Sequence, residues 1–222
     1  MSENKKPKEP DIQKDEAAPA DEKKAIRGIL HEVMGNFSKI DYIRPEDIPD
    51  IPLYMDQITT FMDSKLENCK RYPEDKILTK TMINNYTKNK LIPPPEKKKY
   101  SKEHLILLIM VYYLKDFLSI GDIKKLLLPL EGNHFQSSEN LSISDLYEKA
   151  YDLVNSQSDS MAHDLFHKWK AAKEVFPETT DPEDKKYLDT FALITLLSFD
   201  VYVKKQAIEG LIDALPDEDE KN

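Results

Sequence analysis

Residues 77–105 read ILTKTMINNYTKNKLIPPPEKKKYSKEHL, and this stretch decides the predicted fold. At helical spacing, Met82, Ile83 and Tyr86 fall on one side of the segment 78–91. The other side carries polar side chains at i, i+3, i+4 and i+7, namely Thr81, Asn84, Asn85 and Lys88. The spacing therefore predicts a helix with one buried face and one exposed polar face.

Three prolines at positions 93–95 follow this helix. Because proline lacks an N–H group and fixes φ, the helix must end by Ile92 and the chain must then run extended. Ser101 is the predicted N-cap of the next helix, over residues 102–117, whose buried residues are Leu105, Leu108, Ile109 and Tyr112. Ser119 with Asp122 forms a capping box that starts a further short helix, and its apolar residues are Ile123, Leu126 and Leu127.

Positive charge is concentrated in the same region. Residues 70–102 hold ten Lys/Arg and three acids, so the segment carries 10 − 3 = +7, whereas the whole chain carries −9 and everything outside the segment carries −16. A basic surface on an acidic body is the electrostatic pattern expected of a protein that binds a polyanion at one place.

The polar helix face carries the groups that read base edges and phosphates in the DNA major groove. The candidate DNA-contacting residues are Lys80, Thr81, Asn84, Asn85, Lys88, Lys97, Lys98, Lys99 and Lys102. Two alternatives remain open at this stage. The polar face could meet only water, as in an ordinary amphipathic helix, or the basic face could dock an acidic protein partner without entering a groove.

The run TKTMINNYTKNKLIPPP, the run KKKYSKEHL and the turn FLSIGDIKKLL together resemble the DNA-binding domain of MerR-type regulators over residues 77–127. Thr79 matches the family's helix-capping Ser or Thr, and Tyr86 matches its second aromatic residue. Further matches are the apolar pair Leu91 and Ile92, the wing exit Tyr100 and Ser101, and the final turn Ser119, Asp122 and Ile123. The resemblance implies a winged helix-turn-helix with a short wing and sequence-specific binding of double-stranded DNA as a transcriptional regulator.

The chain departs from the MerR pattern at Asn84, where these regulators usually carry Arg, and at Asn85, which replaces the first aromatic residue. Base preference is therefore not carried over, and the absence of metal-binding cysteines in the C-terminal part argues against a metal response. The blocks IPDIPLYMDQITTFM and ILTKTMINNYTKNKLIPPP also resemble an uncharacterised Firmicutes family of the domain-of-unknown-function type.

The domain organisation follows from composition and capping signals. Residues 1–24 are expected to be a disordered charged tail, residues 25–130 the MerR-like domain with an N-terminal helical extension at 25–37, and residues 131–140 a polar linker. Within the domain, residues 41–52 read as an extended connector with a turn. Residues 53–69 read as a bracing helix that directs Ile58, Phe61, Met62 and Leu66 inward. Cys69 is expected to be a small, at least half-buried residue.

Residues 141–215 are predicted to form an all-helical dimerisation or sensing domain, followed by an acidic tail at 216–222. Ser142 caps a first helix, a second runs over about 160–176, and Asp181 with Pro182 opens a third that runs to about 215. The third helix is apolar nearly all round from Leu188 to Val203. It is either a central core helix or a helix that is partly core and partly the interface of a homodimer.

Catalytic signals are weak. His163 and His167 lie at i and i+4, but no Glu follows the first histidine as in HExxH and no third ligand is evident, so no metal site is predicted. Neither a glycine-rich phosphate loop nor a nucleophile elbow occurs. We therefore expect neither enzymatic activity nor a cofactor, while an unknown effector remains open. The N-terminus lacks the apolar region of a secretory signal, which predicts a cytoplasmic protein without a membrane partner.

Overall fold

The computed structural model describes residues 42–135 and 141–216, apart from the side chains of 131–134. The described part contains β1 (Leu53–Tyr54), α1 (Met55–Lys65), α2 (Lys80–Lys88), β2 (Lys99–Tyr100), α3 (Lys102–Leu114), α4 (Ile120–His134), α5 (Ile143–Ser156), α6 (Ser158–Lys173) and α7 (Pro182–Asp213). The predicted all-α class is confirmed in that helices dominate these residues. The predicted N-terminal tail, the helix at 25–37 and residues 217–222 of the acidic tail lie outside the described residues.

Helix α3 forms the centre of the core. It was predicted to bury one face, but it is buried on nearly all sides at His104, Leu105, Ile106, Leu107, Leu108, Ile109 and Val111. Strand β2 and helices α4 and α5 all pack against it. Burying a leucine or isoleucine side chain contributes about 1.5–3 kcal/mol, so this helix supplies much of the hydrophobic free energy of folding. It ends at Leu114, three residues before the predicted residue 117.

The bracing helix begins two residues later than predicted, because Leu53 and Tyr54 form strand β1. This strand pairs antiparallel with β2, with Leu53 opposite Tyr100 and Tyr54 opposite Lys99. Local periodicity could not reveal the pairing, since the two strands are far apart in the sequence. Helix α1 then buries Ile58 and Met62 completely, as predicted, and Leu66 just beyond its end is equally buried.

A short 3-10 turn, Glu67–Cys69, replaces the predicted last helical turn after α1. Cys69 is exposed on this turn, so the prediction that it is at least half-buried is wrong. The chain turns away from the helical axis here because Leu66 is drawn into the core while Glu67, Asn68 and Cys69 remain at the surface.

Helix α2 begins directly after Thr79, the predicted cap, but it ends at Lys88, three residues before the end of the predicted segment 78–91. The Thr79 side chain accepts a hydrogen bond from the Met82 backbone N–H at 3.2 Å, which caps the N-terminus. At the other end the backbone N–H of Leu91 donates to the Tyr86 carbonyl at 2.9 Å, and that of Lys90 donates to the Thr87 carbonyl at 3.1 Å. This pair of bonds is a Schellman motif. The motif requires a left-handed backbone conformation at Lys90, whose φ is 57°.

Helices α4 and α5 keep their predicted starts, whereas α6 begins two residues before the predicted residue 160 and ends three residues before the predicted residue 176. Asp122 and Asp145 donate their backbone N–H groups to the hydroxyls of Ser119 and Ser142, both at 3.1 Å. Helix α4, however, is longer than the predicted short helix. It continues through Pro129 and residues 131–134, the first part of the predicted linker, and leads to Phe135, whose ring lies 4.9 Å from that of His104 in the core.

Helix α7 is the longest element, with 32 residues, and its bounds agree with the prediction within two residues. Its N-terminal half packs against α6, and its C-terminal end packs against α4, where Lys125 Nζ donates to the Asp213 carbonyl at 3.3 Å. Leu193 and Ile212 are its buried residues. Among the described residues, α6 and α4 cover only part of its circumference, so the described part of the chain does not surround α7 as it would a central core helix.

Replacing Lys90 by Gly should raise the free energy of unfolding by about 1 kcal/mol, because a left-handed backbone costs an L residue roughly 1–2 kcal/mol and glycine almost nothing. Lys90→Ala is the matched control, since it removes the same charge but keeps the strained φ. Chemical denaturation should place the Gly variant above the Ala variant by about 1 kcal/mol. Equal stabilities would contradict the strained Schellman motif.

Candidate nucleic-acid interface

The two predicted faces of α2 are confirmed. Ile83 and Tyr86 are buried, and Met82 is partly buried against the same core. The exposed face presents Thr81, Asn84, Asn85 and Lys88, all open to solvent. A nine-residue helix is about 13 Å long at 1.5 Å per residue, so these side chains form one continuous polar stripe.

A tight hairpin turn carries the adjacent lysines. The backbone N–H of Lys99 donates to the carbonyl of Glu96 at 2.9 Å, which leaves Lys97 and Lys98 as the two central residues. Their φ angles are 49° and 65°. Two-residue hairpins with positive φ at both positions normally use Asn-Gly. The sequence has Lys-Lys where the usual signal is Asn-Gly. It predicted a wing here but did not predict a two-residue hairpin.

Contacts at the N-terminus of α1 tie the turn to the helices. Lys99 pairs with Tyr54 across the two strands, and its Nζ lies 5.3 Å from the centre of the Tyr54 ring. Burial raises the pKa of Tyr100, and the Thr87 side chain on α2 opposes that shift. Asp56 of α1 forms an ion pair with Lys80. These contacts bring the wing and the start of α2 to one corner of the molecule.

Two cations of the basic segment are partly neutralised by acids outside it. Lys80 pairs with Asp56, and Lys70 pairs with Asp63 at 2.7 Å, with its own side chain only 12% exposed. Lys102 of the candidate set is half-buried, whereas Lys80, Lys88, Lys97, Lys98 and Lys99 are exposed. The effective surface charge of the segment is therefore lower than its formal +7, and the wing turn carries its densest part.

His104 is a buried residue of this region that sequence reasoning missed. Its Nδ1 accepts a hydrogen bond from the Ser101 backbone N–H at 3.1 Å, so it completes the cap of α3. Its ring lies edge-on between Tyr100 and Phe135, with centroids 5.6 and 4.9 Å away. Burial lowers the pKa of His104, and the Pro94 carbonyl and Glu103 oppose that shift only in part. The Ser-x-x-His spacing was the available signal.

The stability of the protein should fall as the pH drops through about 6.5, the ordinary histidine pKa. Below that pH the unfolded chain binds a proton at residue 104 that the folded chain excludes, and the loss stops once the pH is below the lowered folded pKa. His104→Gln keeps a side-chain acceptor for the Ser101 N–H and cannot titrate. Thermal unfolding between about pH 7.5 and 5.5 should show a weaker pH dependence in this variant, and equal slopes would contradict a neutral buried His104.

The connection between α1 and α2 differs from a common helix-turn-helix. It spans residues 66–79, which is 14 residues, and it includes the 3-10 turn and a closed turn in which the Asp75 N–H donates to the Tyr72 carbonyl at 3.0 Å. A helix-turn-helix usually joins its helices by three or four residues. The winged helix-turn-helix assignment therefore stays a prediction.

Other candidate chemistry finds no structural support in the described residues. The His163 and His167 rings lie on α6 with centroids 6.5 Å apart. No cluster of three or more His, Cys, Asp or Glu side chains in the described ranges could hold a metal ion. Among these residues, no helix is long and apolar enough to cross a membrane.

Residues 43–150 match the family model described as a domain of unknown function, DUF1836. The comparison with curated proteins gives no match, and neither does the comparison with solved structures. The DUF1836 segment runs from just before β1 into α5, and thus includes α2, the wing turn and the core helix α3. The predicted resemblance to an uncharacterised family is confirmed for this segment. The MerR-like resemblance gains no support from the comparisons, and α6 and α7 lie outside the match.

Proposed function

We propose that the protein is a sequence-specific DNA-binding transcriptional regulator without enzymatic activity. In this proposal α2 enters the major groove of double-stranded DNA, and the Glu96–Lys99 turn lies on the phosphates. The observation that carries it is the exposed Thr81, Asn84, Asn85 and Lys88 stripe beside an exposed turn of three lysines.

The stripe supports base reading because of its chemistry. Asn pairs bidentately with adenine through N6 and N7, and each such contact contributes about 1–3 kcal/mol of discrimination. A purely electrostatic docking surface has no need of two adjacent amides. The major groove, about 12 Å wide, admits an α-helix, and the buried face of α2 would seat it with Asn84 and Asn85 outward.

The wing turn supports phosphate binding because of its rigidity and charge. Lys97 and Lys98 lie at the tip of a closed hairpin, so their ammonium groups project from a fixed backbone. Placing the turn on the DNA backbone would release bound counterions, which makes the affinity salt-dependent.

Replacing Lys97, Lys98 and Lys99 together by Ala should weaken binding to all DNA sequences. The slope of log affinity against log salt should fall by about two to three, because each phosphate contact contributes about 0.9. Fluorescence anisotropy across a salt series measures this slope. The matched control replaces three exposed lysines on α5, α6 and α7, Lys149, Lys170 and Lys186, and should leave the slope unchanged. Equal slopes in both triple variants would show that the wing does not contact the DNA phosphates.

Replacing Asn84 by Ala should remove about 1–3 kcal/mol of discrimination at one base position per site, with little change in non-specific binding. Selection from a random DNA pool by the wild type first supplies the site, and competition with single-base variants then measures the loss. Tyr86→Ala is the contrasting variant. Because Tyr86 is buried, it should lower the melting temperature instead.

The second candidate function is docking of an acidic protein partner on the same basic face. The long connection between α1 and α2 favours it, since a helix-turn-helix that reads a groove usually joins its helices by three or four residues. A random pool without any enriched sequence, or an Asn84→Ala variant that binds every sequence equally less well, would favour this alternative.

A further inference from the structure

Helix α7 exposes more large apolar side chains than any other element of the described chain. Seven of its large apolar side chains are between 54% and 68% exposed, namely Tyr187, Phe191, Ile194, Phe199, Val201, Tyr202 and Val203. A fully exposed aromatic side chain offers roughly 150–250 Å² and an aliphatic one somewhat less, so the seven together expose roughly 700–800 Å². The largest apolar patch on a typical monomer is only about 300–600 Å².

Part of this surface has the spacing of a helix–helix seam. Tyr187, Phe191, Ile194, Ser198 and Val201 follow one another at intervals of four, three, four and three residues. This is the 3.5-residue period by which two helices pack along their length, with Ser198 as a single polar position. The same seam continues to Ile208 and Ile212, but there it packs against the protein's own core.

A groove between α6 and α7 adjoins the seam. It encloses about 400 Å³ and is lined by Ala171, Ala172, Val175, Phe176, Phe191, Ala192, Thr195, Leu196 and Phe199. The small alanines keep the groove open, and Phe191 belongs to both the groove and the seam. Apart from Thr195 it offers no side-chain polar group, so it fits apolar side chains and not a charged ligand.

We propose that a second copy of this chain covers the exposed half of α7, with the two α7 helices antiparallel. The seam favours a second copy, because an identical helix presents the same 3.5-residue period, and the exposed apolar side chains on and beside the seam supply much of the roughly 800 Å² that a standard interface buries on each partner. A patch that pairs with itself about a two-fold axis also forms a closed dimer, because no copy of the patch is left over to bind a third chain. This proposal concerns α6 and α7 alone and does not rest on DNA binding.

The orientation follows from the covered end of the seam. Ile212 is buried and Asp213 bonds to Lys125 of α4, so the core occupies the C-terminal end of α7. A parallel partner would bring its own core to the same end and collide with it. An antiparallel partner places the two cores at opposite ends and leaves the exposed halves, residues 187–203, to pair.

Sedimentation of the full chain without DNA tests the dimer. The wild type should be dimeric at micromolar concentration, and Val201→Glu should weaken the dimer at least about 100-fold, because it buries an unpaired carboxylate in the seam. Leu211→Glu is the matched control. Leu211 is on the same helix and 71% exposed but lies off the seam, so the dimer should persist. A monomeric wild type, or equal weakening by both variants, would overturn the proposal.

Pulsed electron paramagnetic resonance tests the orientation in a dimer whose seam is intact. A spin label on Lys186→Cys, in a Cys69→Ser background, reports the distance between the two copies of one exposed position. At 1.5 Å per residue, an antiparallel pair separates the labels by roughly 20–30 Å and a parallel pair by roughly 10 Å. The longer distance supports the proposed pairing, and the shorter one overturns it.

Discussion

The burial of α3 on nearly all of its sides constrains the rest of the described structure. A helix that reads HLILLIMV can be kept from water only if elements approach it from several directions. Helices α4 and α5 and strand β2 do so. Because β2 is both part of this cover and the exit of the basic turn, the position of the candidate interface depends directly on the packing of the core.

Lysines with a left-handed backbone conformation are concentrated in the candidate interface. Lys90, Lys97 and Lys98 are the non-glycine residues with positive φ in the described ranges, and all three lie within the basic segment. Each costs roughly 1–2 kcal/mol relative to a relaxed backbone, and glycine would avoid that cost. Backbone strain of this kind is typical of functional sites. Lysine at these turns costs stability but supplies the positive charge that the proposed contact with phosphates requires.

The two surfaces that motivate proposals differ in chemistry and in place. The basic stripe and turn lie within the DUF1836 segment, on elements anchored to the core by α1 and β1. The apolar seam lies beyond that segment on α7, whose C-terminal end is fixed to α4. One long helix thus joins the proposed dimer contact to the domain that carries the proposed DNA contact. A dimer would therefore fix the distance and orientation between its two basic faces.

The sequence by itself determined the local features: the caps at Thr79, Ser119 and Ser142, the end of α2 before the prolines, and the division of α2 into a buried and a polar face. These depend on hydrogen bonds and side-chain spacing within a few residues. Only the tertiary structure decided the pairing of Leu53 and Tyr54 with β2, the burial of His104 and the exposure of α7. It also decided that the Tyr147 hydroxyl donates to the Ile43 carbonyl at 2.6 Å across 104 residues. Such contacts are set by which surfaces meet when the helices pack, and local periodicity carries no information about those partners.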